Sequence, residues 1–168
     1  ANMVGEENQG WYVAATSLDF ERSGIAQFAW NRRNLEELAH LAKQVEVGGR
    51  LPGEDPIILR RLAELWAANE AGRMIAYKVG WMQSQDRVPN QEASISKLMG
   101  SEIAQRIADL GMQIAGSYGL LDQGSNRALL DGRPAREWMD STSFTIRAGT
   151  SEIQRNIIAT RGLGLPRG

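Results

Sequence analysis

The sequence predicts an all-α fold, an antiparallel helical bundle, and three observations carry that prediction. β-Branched residues are sparse and never alternate over a long stretch, whereas Ala, Leu, Glu, Gln and Arg dominate. Apolar residues recur instead at spacings of three and four over long segments. Glycine- and proline-containing breaks divide the chain into three long periodic segments and a shorter closing set. Such helices bury their apolar faces most simply by packing antiparallel. The 168 residues suit one domain, and no internal repeat or low-complexity linker marks a second.

The elements follow in order. From Trp11 to about Val47, Trp11, Ala14, Ala15, Leu18, Ile25, Phe28 and Ala29 trace one long amphipathic helix, and the stretch from Gly48 to Gly53 breaks it. Asp55 before Pro56 is a helix start, a capping carboxylate followed by proline at the first helical position. That second helix carries Ile58, Leu59, Leu62, Leu65, Trp66, Met74 and Trp81 and ends near Val88-Pro89. Asn90 can cap a third helix, with Ile95, Leu98, Met99, Ile103, Ile107 and Leu110 on its buried side, fading at Gly116. Asp122 to Arg133 reads as a polar loop, followed by a short helix over 135–140 and a last one from Ser151 to about Thr160. Trp66, Met74, Trp81 and Met99 are expected to pack the bundle or contacts between subunits. His40 is expected at the surface or an interface.

Composition narrows the function classes. With 19 basic and 20 acidic residues the net charge is -1, so no nucleic-acid or membrane-surface footprint is apparent. Cysteine is absent, which removes disulfides and thiol chemistry. A single histidine and no spaced carboxylate cluster argue against a metal site. No apolar run approaches the roughly 20 residues of a membrane-spanning helix, and no signal peptide is apparent at the start.

Three segments carry local signals. Gly149-Thr150-Ser151 precedes a helix, with Ser151 and Gln154 at capping-box spacing. A helix start of this kind serves as a plain cap or faces polar atoms of a bound cofactor. Gln113 and Gly116 mark the end of the third helix. On the first helix, Glu21 lies three residues after Leu18, four before Ile25 and seven before Phe28, inside the apolar stripe. A carboxylate there needs a partner, such as Arg22 or Arg32, or a function. A desolvated carboxylate holds a proton more tightly, which suits a group that accepts a weakly acidic carbon-bound proton.

These segments also resemble a known family. The opening Asn2 to Trp11, the turn Gln113-Ile114-Ala115-Gly116-Ser117-Tyr118-Gly119 and the closing Gly149-Thr150-Ser151-Glu152-Ile153-Gln154-Arg155 are similar, in order, to the C-terminal helical domain of acyl-CoA dehydrogenases. The resemblance implies that residues 1–10 end a linker from a middle β domain and that 11–168 form the helical-bundle domain. It implies FAD as cofactor, with Gly149, Thr150, Ser151 and Glu152 against it, and with Gln113 and Gly116 at an adenosine half, often a neighbouring subunit's.

Many relatives place their catalytic glutamate where this chain has Ala148. A minority, including isovaleryl-CoA dehydrogenase, supply it from the first long helix in a stretch resembling Leu18-Asp19-Phe20-Glu21-Arg22. Glu21 is then the catalytic base, with Asp19 and Arg22 binding the coenzyme A portion of an acyl-CoA substrate. The resemblance further implies an electron-transfer flavoprotein as partner, a homo- or hetero-tetramer, and a cytoplasmic location in bacteria or the mitochondrial matrix in eukaryotes. The isolated domain is expected to be inactive, because most of the substrate pocket lies in the other domains. The alternative is a catalytically silent structural subunit of a heteromeric enzyme. The chain departs from the family pattern in region 43–50, which lacks the usual phenylalanine, at Ser117, and at Trp138-Met139-Asp140-Ser141.

Overall fold

The computed structural model describes residues 3–14 and 24–166. Five α-helices dominate them: α1 (Ile25–Gln44), α2 (Pro56–Ser84), α3 (Asn90–Ala115), α4 (Arg133–Phe144) and α5 (Ser151–Ile157). A π-helical turn, Ile158–Gly162, continues α5. Among the described residues there is no strand, only one isolated bridge between Val47 and Arg50 in the loop before α2.

Side-chain pairings give the helix directions. Phe28 meets Gly72 of α2, and further along α1 Arg32 reaches Glu70 at 4.0 Å, so α1 and α2 run antiparallel. Lys78 pairs with Glu92 at 3.2 Å and Arg61 with Gln113 at 2.5 Å, so α2 and α3 also run antiparallel. Asn34 meets Glu137 and Trp30 meets Phe144, which lays α4 antiparallel along α1. Arg155 binds Glu102 at 2.7 Å while Gly162 lies against Gln91, which lays α5 and its extension antiparallel along α3. The predicted antiparallel bundle is the observed one.

The core joins Phe28, Leu35, Leu38 and Leu41 of α1 to Ile58 and Leu65 of α2 and to Ile103, Ile107, Leu110 and Ile114 of α3. Asp55 caps α2 as expected, its Oδ1 accepting from the Ile57 amide at 2.8 Å. The first helix differs from expectation. Gly24 is left-handed (φ 71°), so α1 starts at Ile25 and helical phase does not carry back through it. Trp11, Ala14, Ile25 and Ala29 of the expected stripe are exposed; the buried face is Phe28, Asn31, Asn34, Leu35, Leu38, Leu41 and Ala42. Buried asparagines are tolerated there because Asn31 Nδ2 donates to the Gly100 carbonyl at 3.1 Å, and Asn69 Nδ2 of α2 likewise to that of Phe28. Asn90 does not cap α3, whose start follows Pro89 without a side-chain cap. On α2, Ile58 and Leu65 are buried, but Leu59, Trp66, Met74 and Trp81 are exposed and form no part of this chain's core.

Candidate functional site

The closing turn takes its shape from two consecutive left-handed residues, Ala148 (φ 55°) and Gly149 (φ 90°). L-residues with a Cβ avoid this region, so Ala148 needs neighbours that hold it there. Gln154, fully buried, does so: its Nε2 donates to the Ala148 carbonyl at 3.1 Å and the Gly149 carbonyl at 3.3 Å. Thr150 is the N-cap of α5, its Oγ1 accepting from the Ile153 amide at 3.3 Å. The expected capping box of Ser151 and Gln154 is therefore corrected, since Thr150 occupies the cap and Gln154 turns back under it. The Ser151 amide donates to the Thr145 carbonyl at 3.0 Å, which ties the turn to the end of α4.

The turn borders a cleft of about 450 Å³ between α3 and α5. Thr150, Ser151 and Glu152 form one wall with Thr145, Ile146 and Arg155; Glu102, Gln105 and Arg106 of α3 form the other. The Thr150 hydroxyl is the largest influence holding the Glu152 carboxyl below its usual range, aided by its own amide and by Arg155 and Lys97. Ser151 is only 6% exposed and its Oγ is buried without a partner. A buried hydroxyl without a partner beside a cleft marks incomplete hydrogen bonding at that wall. Arg106 reaches the same cleft with no ion pair among the described residues. Arg106 and the Thr150 hydroxyl suit the phosphate end of a cofactor such as FAD, and the Glu102 and Glu152 carboxylates in the same lining suit its hydroxyl donors.

Gln113 belongs to a second groove, about 620 Å³, between the end of α3 and the loop before α2, where Arg50 also lies. Its amide is already engaged, accepting from Arg61 Nη1 at 2.5 Å and donating to Asp109 Oδ2 at 2.8 Å. Gly116 is accounted for by packing. It is left-handed (φ 54°), and a Cβ there would fall 2.6 Å from Val47 Cγ1. Glu102 and Gln113 are eleven residues apart on α3, about 16 Å along its axis at 1.5 Å per residue. The two parts of the expected cofactor site therefore line separate clefts.

Asp19, Glu21 and Arg22 lie outside the described residues. Sequence reasoning missed the clamp made by Gln154 and the contribution of Arg106; the six-residue spacing from Ala148 to Gln154 matches no standard capping pattern. Among the described residues no group of His, Cys, Asp or Glu could hold a metal, and no helix is long and apolar enough to cross a membrane.

Residues 8–163 match the family profile described as "Acyl-CoA dehydrogenase, C-terminal domain". The chain is 34% identical to Acyl-CoA dehydrogenase FadE26 of Mycobacterium tuberculosis, over 99% of this chain and 43% of that protein. It is 30% identical to the mitochondrial isovaleryl-CoA dehydrogenase of Oryza sativa subsp. japonica, over 94% of this chain and 37% of that protein. Among solved structures, "Tcur3481-Tcur3483 steroid ACAD" superposes with a TM-score of 0.85 at 30% identity, covering 98% of this chain and 42% of that one. The ChsE4-ChsE5 complex of Mycobacterium tuberculosis gives a TM-score of 0.78 at 30% identity, covering 98% and 43%. The chain thus spans about two fifths of the length of these relatives.

Proposed function

The chain belongs to the acyl-CoA dehydrogenase family through its C-terminal domain, and on that premise we propose that it serves a flavin-dependent enzyme converting acyl-CoA thioesters to their 2,3-unsaturated products. The observation that carries this reading is the Ala148–Glu152 turn, with its buried, unpartnered Ser151 hydroxyl on a polar cleft. In the same reading residues 1–10 end a linker from a β domain, and 11–168 form the helical domain.

Ala148 offers only a methyl group, so in this reading the base comes from another position. Glu21 takes that role, removing the proton from the carbon next to the thioester carbonyl. Bound FAD would supply the acceptor for the hydride that leaves the adjacent carbon. Arg22 and Asp19 hold the coenzyme A portion, the guanidinium being suited to phosphate. Gly149, Thr150, Ser151 and Glu152 would hold the flavin nucleotide from the α5 side, with Arg106 across the cleft. Gln113, with Arg50 in the same groove, would meet the adenosine half of a neighbouring subunit's FAD. Gly116 shapes the turn there. An electron-transfer flavoprotein would take up the electrons, and the assembly would be a homo- or hetero-tetramer.

The test is Glu21→Gln in the full-length protein. Bound flavin should persist, with its yellow absorbance, while turnover on an acyl-CoA panel falls about 10²–10⁴-fold, the range for a general base. Full activity in that variant would remove Glu21 from the mechanism. A second reading, a silent subunit of a mixed assembly, is favoured by the two-component names of the similar structures. It requires activity only beside a second gene product, and no flavin on this chain alone.

A further inference from the structure

Gln154 lies outside the cleft wall and is fully buried, yet it binds two consecutive carbonyls of the turn that forms that wall. The contact is close. A Cβ added to Gly149 would fall 2.6 Å from Gln154 Nε2, so only glycine lets the amide reach beneath the turn. The same amide restrains Ala148, a residue with a Cβ at φ 55°. Thr150 and Ser151 follow directly, and the path of the chain through Ala148 and Gly149 sets where their hydroxyls stand.

We infer that Gln154 is the positioning residue of the flavin-side turn, placing Thr150 and Ser151 at the cleft through its two donated hydrogen bonds. The inference rests on the flavin reading above. Its chemistry requires the N–H donors in particular: an aliphatic side chain of equal length fills the space but leaves two carbonyls unpaired, and the left-handed pair is then free to relax. A carboxylate is worse, because it faces the same carbonyls with lone pairs. A protonated carboxyl regains one donor.

The experiment uses full-length protein stripped of flavin and titrated with FAD, following fluorescence quenching and the visible flavin spectrum. Gln154→Met and Gln154→Glu are compared with wild type across pH, with thermal midpoints recorded beside them. Both variants should bind FAD about tenfold or more weakly near neutral pH, a change of about 1.4 kcal/mol or more. Gln154→Glu should recover affinity as the pH falls and its carboxyl protonates, while Gln154→Met should not. Equal FAD affinity in all three proteins, even with lowered midpoints, would reduce Gln154 to a space-filling core residue and overturn the inference. So would weakening in Gln154→Glu without recovery at low pH. Should Gln154→Met fail to fold, the pH dependence of Gln154→Glu still decides. Wild-type protein that takes up no FAD would instead defeat the flavin reading itself.

Discussion

Gly72 sits in the middle of α2, where glycine weakens a helix, and Phe28 accounts for its presence. A Cβ at Gly72 would fall 2.3 Å from Phe28 Cε1 and 2.6 Å from Cζ. Ordinary contact begins at 3.4 Å, so the ring would have to retreat by about 1 Å. It has little room to do so. Phe28 is fully buried and its carbonyl is held by Asn69. Gly80 lies two turns further along the same helix and is exposed, with nothing within 4 Å of its added Cβ. Alanine improves helix propensity at both sites by about 1 kcal/mol. At Gly80 nothing opposes that gain. At Gly72 overpacking opposes it by about 1–3 kcal/mol. Gly80→Ala should therefore stabilise by up to about 1 kcal/mol, whereas Gly72→Ala should range from neutral to about 2 kcal/mol destabilising. The difference between the variants, about 1–3 kcal/mol, is the safer quantity because the propensity gain cancels. Urea unfolding followed by far-UV circular dichroism measures it. Phe28→Leu should cost less in the Gly72→Ala background than in wild type, since contacting sites are not additive. Gly72→Ala matching Gly80→Ala in stability would refute the close approach of α1 to α2 at Phe28.

Two further substitutions test other parts of the fold. Asp55→Ala removes the side chain bonded to the Ile57 amide and should destabilise by about 1 kcal/mol, read as a lowered urea midpoint, with Asp55→Asn retaining most of it. Burial is the main cause raising the carboxyl pKa of Glu137, with Arg133 drawing it down and Glu37 pushing it further up. The folded state then holds that proton more tightly than the unfolded chain. The resulting stability is fully present below the unfolded pKa and is lost as pH rises through the folded one. Gln at this position keeps the uncharged form at all pH values, so Glu137→Gln should be the more stable protein at pH 7. Its advantage should shrink toward pH 4, as urea midpoints across that range would register; a variant whose deficit grows with pH would contradict the assignment.

What the sequence made legible depended on whether a residue's environment follows from its near neighbours. Asp55-Pro56 is self-contained: the carboxylate, the proline and the amide two residues on all belong to one turn, and the cap forms as read. Periodicity predicted the bundle but not its faces. Trp66, Met74 and Trp81 share helical spacing with Ile58 and Leu65, yet they lie on an exposed side of α2, and spacing alone does not say which apolar face a given neighbour covers. Asn31 and Asn34 hid the true stripe of α1, because what makes Asn31 acceptable inside is a carbonyl 69 residues away.

The candidate site shows the same division. Ala148 marks the usual base as missing, a statement about one side chain. Its left-handed backbone was illegible, because alanine is a poor residue for that conformation and only the tertiary contact with Gln154 supports it. The residue that removes chemistry from the turn is thus also the one whose strain requires a clamp. A sequence motif identifies the turn, but the placement of Thr150 and Ser151 at the cleft depends on a buried amide that does not border it.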